Sequence, residues 1–161
     1  MEGDTLPPVP PAYALARFVS ESSTVGLVAF SAYDTVSRYY DQYEAVVFDG
    51  NFTNFGGGYD PVSSMFTCPV SGVYVVSVTF TTYDERYAYG SITHEGMVLH
   101  GAYADDGART RSSAATVSVF ECTAGDRVWV RTGASTSHRT HGGADYLDNT
   151  SGFSGFLLYA L

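Results

Sequence analysis

A chain of 161 residues suffices for one domain and is short for two well-packed ones. With 45% hydrophobic and 16% charged residues it can bury a core, which excludes a disordered or coiled-coil protein. Seventeen acidic residues face eight basic ones, all arginine, for a net charge of -9. This balance disfavours nucleic acid and anionic membranes, which require clustered positive surface, and suits a cation or a neutral or sparsely charged partner. Every positive charge is a planar guanidinium, fitted to bidentate contact with carboxylates and to stacking on aromatic rings.

Residues 1–12 are proline-rich and polar and read as an extended, flexible arm, with the domain spanning 13–161. The opening MEGDTLPPVPP has neither the basic start nor the apolar centre of a signal peptide, and no apolar run reaches the roughly 18 residues of a membrane span. A secreted protein of this sequence would have lost its leader before residue 1. Beyond the arm, Gly, Ser, Thr, Asn and Asp punctuate segments rich in Val, Phe, Tyr and Thr, the signature of strands and turns. The predicted strands are 26–33, 45–49, 65–68, 72–82, 87–94, 97–103, 115–122, 127–132 and 152–161. Only 36–46 (VSRYYDQYEAV) offers a helical turn or two. Many strands and little helix predict an all-β sandwich, jelly roll or barrel.

Two kinds of strand stand out. In 127–132, Val128, Val130 and Thr132 share one face while Arg127, Trp129 and Arg131 share the other, so one face is wet. Arginine stems covering Trp129 explain that face more simply than a stacked guanidinium ladder. By contrast 72–80 (GVYVVSVTF) and 153–159 (FSGFLLY) are apolar on both faces, with Phe153, Leu157 and Tyr159 on one side of the latter and Phe156 and Leu158 on the other. A sandwich strand has one face in the core, so the second face requires a cover: another subunit, or a long loop.

At this point the chain resembles the globular head of the first complement component's q subunit (C1q), a member of the tumour-necrosis-factor-like jelly-roll superfamily. The resemblance rests on VAFSA at 28–32, VFD at 47–49 followed by Asn54 and Tyr59-Asp60, FTCPVSGVY at 66–74, GDRVWV at 125–130 and FSGFLLY at 153–159, in family order across residues 26 to 161. These blocks are architectural: Gly125-Asp126 supplies a tight turn, Pro69 and Gly72 bracket a bend, and Gly155 leaves room for a neighbouring aromatic side chain. The resemblance implies a ten-stranded, two-sheet jelly roll assembled as a homotrimer, with the 28–32, 66–74 and 153–159 blocks on the sheet facing the threefold axis. Tyr74, Val76, Phe156, Leu158 and Tyr159 are the residues assigned to that interface. Many relatives carry a collagen stalk, but no Gly-X-Y repeat occurs here.

The resemblance also implies that the strands near Cys68 and Cys122 are antiparallel neighbours, which would allow a disulfide between them; two buried free thiols are the alternative. Asn51-Phe52-Thr53 and Asn149-Thr150-Ser151 are glycosylation acceptors in predicted loops. Catalytic patterns are sparse: Gly152-Phe153-Ser154-Gly155 breaks the nucleophile-elbow motif, and no phosphate-binding lysine loop can exist, so no enzyme is expected. His138 and His141 have metal-ligand spacing without a third ligand. Calcium is the cation that the adjacent acids would suit, at Asp84-Glu85 above all, a turn in which some relatives place a ligand; solvated acids are the plainer reading.

Ligand contacts are expected on loops held by the jelly roll. Tyr83, Arg86 and Tyr87, then Arg109 and Arg111, then His138, Arg139, His141, Asp145 and Tyr146 combine aromatic rings with polar forks. Such sets suit carbohydrates, and equally a protein-binding surface. The leading expectation is a secreted, non-enzymatic lectin-like recognition protein of innate immunity, a trimer binding microbial or anionic glycans. The alternative is a receptor-binding or extracellular-matrix trimer, mineralisation-related given its acidity.

Overall fold

The computed structural model describes residues 26–82, 87–105, 111–134, 138–140 and 151–161. The expected boundary between arm and domain lies outside them. The described residues form strands and turns without a helix: β1 (Ala29–Tyr33), β2 (Arg38–Tyr40), β3 (Gly50–Phe55), β4 (Tyr59–Asp60), β5 (Met65–Thr67), β6 (Gly72–Thr82), β7 (Tyr87–His94), β8 (Met97–Asp105), β9 (Ser112–Cys122), β10 (Arg127–Arg131), β11 (His138–Thr140) and β12 (Gly152–Ala160). A five-stranded sheet runs β3-β1-β12-β6-β9. A second, seven-stranded sheet runs β2-β11-β7-β10-β5-β4, with β8 on the other side of β7. Among the described residues the strand pairings are antiparallel except β11 against β7. This is the expected jelly-roll sandwich, with twelve described strand segments where ten were expected because short rungs such as β2 and β4 also pair.

The core lies between the sheets and follows strand parity. Val128 and Val130 of β10 are fully buried, and Tyr74, Val76, Val78 and Phe80 of β6 alternate inward opposite them. At its centre the Phe30 ring stacks between Tyr59 and Phe66, at centroid distances of 5.1 and 4.5 Å, and Phe153 meets Phe30 edge-on at 4.9 Å. Gly155 permits this cluster, since a Cβ there would come within 2.9 Å of the Phe30 ring and of a Val76 methyl. Cys68 and Cys122 form a disulfide with Cα atoms 6.5 Å apart. Antiparallel β6 and β9 set Gly72 opposite Cys122, bringing the start of one strand beside the end of the other.

Several expectations are corrected. Residues 45–49 are extended but form only an isolated bridge, Ala45 to Arg131. Their amides bond elsewhere, Val46 N–H to the Val130 carbonyl at 2.8 Å and Phe48 N–H to Ser64 Oγ at 2.9 Å. The paired strand is β3, so Asn51 lies in an edge strand rather than a loop, with its residue exposed. Residues 36–46 contain β2 and a turn rather than helix, and Tyr43 there adopts a left-handed φ of 60°. Arg38 is held instead by two carboxylates, Asp34 at 2.5 Å and Asp49 at 2.7 Å. The guanidinium ladder on Trp129, the less favoured alternative, does not form among the described residues: Arg127 faces Glu95 at 3.5 Å, and Arg131 lies 5.5 Å from the centroid of the Tyr43 ring.

The interface residues also change. Tyr74 and Val76 are fully buried inside the single chain and cannot meet another subunit; the outward residues of β6 are Val73, Val75, Ser77 and Thr79. Tyr159 leaves the side of β12 that carries Phe153, because a bulge between Leu157 and Tyr159 shifts the register and turns it outward beside Phe156 and Leu158.

Candidate functional site

Two surfaces stand out, one on each sheet. On the outer face of the five-stranded sheet, register aligns Phe55, Ala29, Phe156, Val75 and Val119 in one row across all five strands. The next row is Thr53, Ser31, Ser154, Ser77 and Val117, in which the Ser77 and Ser154 hydroxyls are hydrogen-bonded at 3.0 Å. Small hydroxyl side chains keep this band low. Around it Phe55, Val117, Val119, Phe156, Leu158 and Tyr159 are 45% to 66% exposed, a contiguous apolar surface of the kind that marks an interaction site.

On the outer face of the other sheet lies an open cleft of about 630 Å3, lined by Tyr43, Tyr87, Tyr89, Tyr103 and Arg131 with Ser91, Val98, Thr132, Gly133 and Ala134. Parity builds it. Tyr87, Tyr89 and Ser91 alternate with Ala88, Gly90 and Ile92 along β7, so the first set faces outward when the second faces the core. Tyr103 stands opposite Tyr89 on β8, and Arg131 opposite Ser91 on β10. Two glycines make room for the central ring: a Cβ at Gly133 would lie 2.7 Å from Tyr89 Cε1, and one at Gly101 would lie 3.0 Å from the Tyr89 hydroxyl oxygen.

Tyr43 is delivered by the turn after β2, which is fastened to the end of β10. Its own N–H donates to the Gly133 carbonyl at 3.1 Å, Glu44 N–H to Thr132 Oγ1 at 2.9 Å, and Thr132 Oγ1–H to the Asp41 carbonyl at 2.7 Å. Ser91 Oγ–H donates to the Tyr89 hydroxyl at 2.8 Å, and the Tyr103 hydroxyl donates to Asp105 at 3.2 Å. Partial burial, with the Asp105 carboxylate accepting that bond, pushes the Tyr103 phenol above its usual pKa and keeps it a neutral donor.

Of the expected ligand residues, Tyr87 lines this cleft. The β11 backbone places His138 in register with both Tyr87 and Tyr40, and Arg139 with Tyr39. Arg111 is exposed just before β9. Tyr83, Arg86, Arg109, His141, Asp145 and Tyr146 lie outside the described residues, as do Asp84, Glu85 and Asn149. Sequence reasoning missed Tyr43, Tyr103 and Arg131 because it searched loops; the available signal was the outward parity of Tyr87, Tyr89 and Ser91.

One other cluster has ligand-like spacing. His94, Asp126 and Cys122 place ligand atoms within 4.8 Å of one another, but the Cys122 sulfur is committed to the disulfide and supplies no thiolate. What remains is a structural pair, His94 Nε2 to Asp126 Oδ2 at 2.9 Å, that with the Thr123 amide draws the Asp126 carboxyl below its usual pKa.

Residues 29–158 match the family model described as the C1q domain. Among curated proteins, zebrafish (Danio rerio) Caprin-2 is 35% identical over 123 residues, covering 72% of this chain and 12% of that protein. Mouse complement C1q tumor necrosis factor-related protein 3 is 26% identical over 133 residues, covering 82% and 51%. The chain thus spans about half of one relative's length and a small part of the other's. Among solved structures, the globular domain of zebrafish complement 1qA protein superposes with a TM-score of 0.67 at 17% identity, covering 83% of this chain and 99% of that one. Eiger TNF from S. frugiperda gives 0.67 at 12% identity, covering 84% and 95%.

Proposed function

Because this chain belongs to the C1q-domain family, we propose that it is a secreted, non-enzymatic recognition module that assembles as a homotrimer and binds glycans through surfaces left free by assembly. The observation that carries the reading is the outward row Phe55, Ala29, Phe156, Val75 and Val119, an apolar stripe whose large side chains no part of the described chain covers. A second copy of the same chain can cover such a stripe with the Ser77 and Ser154 hydroxyls of the adjoining row already satisfied by each other. The Cys68–Cys122 disulfide suits an oxidising, extracellular setting. Among the described residues no helix is long and apolar enough to cross a membrane.

Trimerisation sets three copies of each glycan site on one rigid body, and on a repetitive surface this multiplies weak single-site affinity by roughly a hundredfold or more. The test is a glycan array with whole-microbe binding, run with and without calcium on the folded protein. Binding released by simple sugars supports the reading. Background signal on both, with capture of one protein partner that sugars do not displace, replaces it with a receptor-binding or matrix module.

A further inference from the structure

The tyrosine cleft on the seven-stranded sheet carries the inference furthest. It rests on the glycan-binding reading and specifies the site and ligand class. We propose that the cleft between Tyr43, Tyr87, Tyr89 and Tyr103 is the carbohydrate site and that it selects a pyranose bearing a carboxylate, which Arg131 receives.

Three observations support it. First, the floor is the face of a strand held within its sheet, β7 being paired with β8 on one edge and, at Ser91–His94 and Tyr87, with β10 and β11 on the other. With strands on both sides of it, β7 is not an edge strand for peptide addition, so recognition on its face falls to side chains. Second, those side chains are phenol rings with hydroxyl rims in an open depression whose volume falls within the roughly 300–1,000 Å3 usual for small-ligand sites. Rings offer a flat, electron-rich face to the C–H side of a sugar, and the exposed Tyr103 hydroxyl, its proton held by Asp105, offers an acceptor oxygen at the edge.

Third, the charge is singular. Among the described residues Arg131 is the only charged one lining the cleft, and no carboxylate among them pairs with it, in a chain where acids outnumber bases seventeen to eight. Among the described residues its side-chain neighbour is the Tyr43 ring, 5.5 Å away to the centroid, which orients the guanidinium without neutralising it. A planar fork held against an aromatic ring is built to take a carboxylate through two parallel N–H donors. Asp105 stands beyond Tyr103 and is bonded to its hydroxyl, which confines the favourable place for an anion to the Arg131 end. The net charge of -9 opposes polyanions such as nucleic acid and leaves one localised acid per sugar as the fitting ligand.

The experiment is titration calorimetry of the full chain with methyl β-glucuronide and with sialyllactose, each against its neutral counterpart, methyl β-glucoside or lactose. The two acidic arms distinguish a uronate from a sialate source. At least one acidic probe is expected to bind about tenfold more tightly than its neutral partner, and Arg131→Ala to abolish that preference. Arg131→Gln, which keeps hydrogen-bonding groups without the charge, gives the same loss if the alanine variant misfolds, and Tyr103→Ala at an exposed position weakens acidic and neutral probes alike. Equal affinity for acidic and neutral sugars, no response to either, or a preference that survives in a folded Arg131 variant overturns the inference. A positive glycan array that Arg131→Ala leaves unchanged overturns this site while the glycan reading stands, whereas a blank array removes both.

Discussion

Replacing Phe156 by glutamate tests the assembly face most directly. Phe156 sits in the middle of the apolar row, opposite Ala29 on one side and Val75 on the other, and is 45% exposed in the single chain. About half of its surface is therefore available to a neighbour, worth roughly 1 kcal/mol of apolar burial per copy. A carboxylate enclosed at the same place costs several kcal/mol more unless it finds a partner. Each trimer carries the change three times, so the total penalty is on the order of 10 kcal/mol, enough to dissociate a micromolar trimer. The fold itself is spared because the side chain points away from the core. Light scattering of Phe156→Glu is expected to give one-third of the wild-type mass, with circular dichroism unchanged and a single cooperative melt. A wild-type monomer at micromolar concentration refutes the reasoning, as does a variant that retains the trimer mass.

Other consequences follow from the interior. Replacing both Cys68 and Cys122 by alanine opens a loop of 54 residues and should lower unfolding free energy by about 4 kcal/mol in urea titration of the monomeric background. Phe153→Ala, at a fully buried ring touching Phe30, should cost about 3–5 kcal/mol in the same assay. Gly133→Ala forces a Cβ to within 2.7 Å of the Tyr89 ring and should cost about 1–3 kcal/mol while reshaping the cleft, read by urea titration and by sugar affinity.

Acid sensitivity should centre on Asp49. Burial alone would raise its pKa, but hydrogen bonds from the Thr35 amide, the Arg38 guanidinium and the Thr35 hydroxyl outweigh burial and set it below the usual value. A depressed carboxylate contributes stability that is fully present above its unfolded pKa of about 4 and is lost as pH falls through the folded value. Asp49→Asn should therefore flatten the decline in melting temperature below about pH 4, and an unchanged pH profile would remove Asp49 from the account.

Strand parity and punctuation are local properties, so β10, β6, β7 and the glycine at 155 were legible from residue order, as were the family blocks, whereas the Cys68–Cys122 pairing was implied only by the family resemblance. Parity sorts residues into two groups without saying which faces inward. In β10 polarity settled that choice, with Val128 and Val130 against Arg127 and Arg131. In β6 both groups are apolar, so Tyr74 and Val76 could not be told from Val73 and Val75 until the opposing sheet was in place. The bulge that turns Tyr159 outward and the pairing of β3 likewise depend on a partner strand. The cleft is the extreme case: Tyr43, Tyr89, Tyr103 and Arg131 are distant along the chain, and register and sheet order alone bring them together, because hydrogen-bonded pairing is a relation between segments and no single segment encodes it.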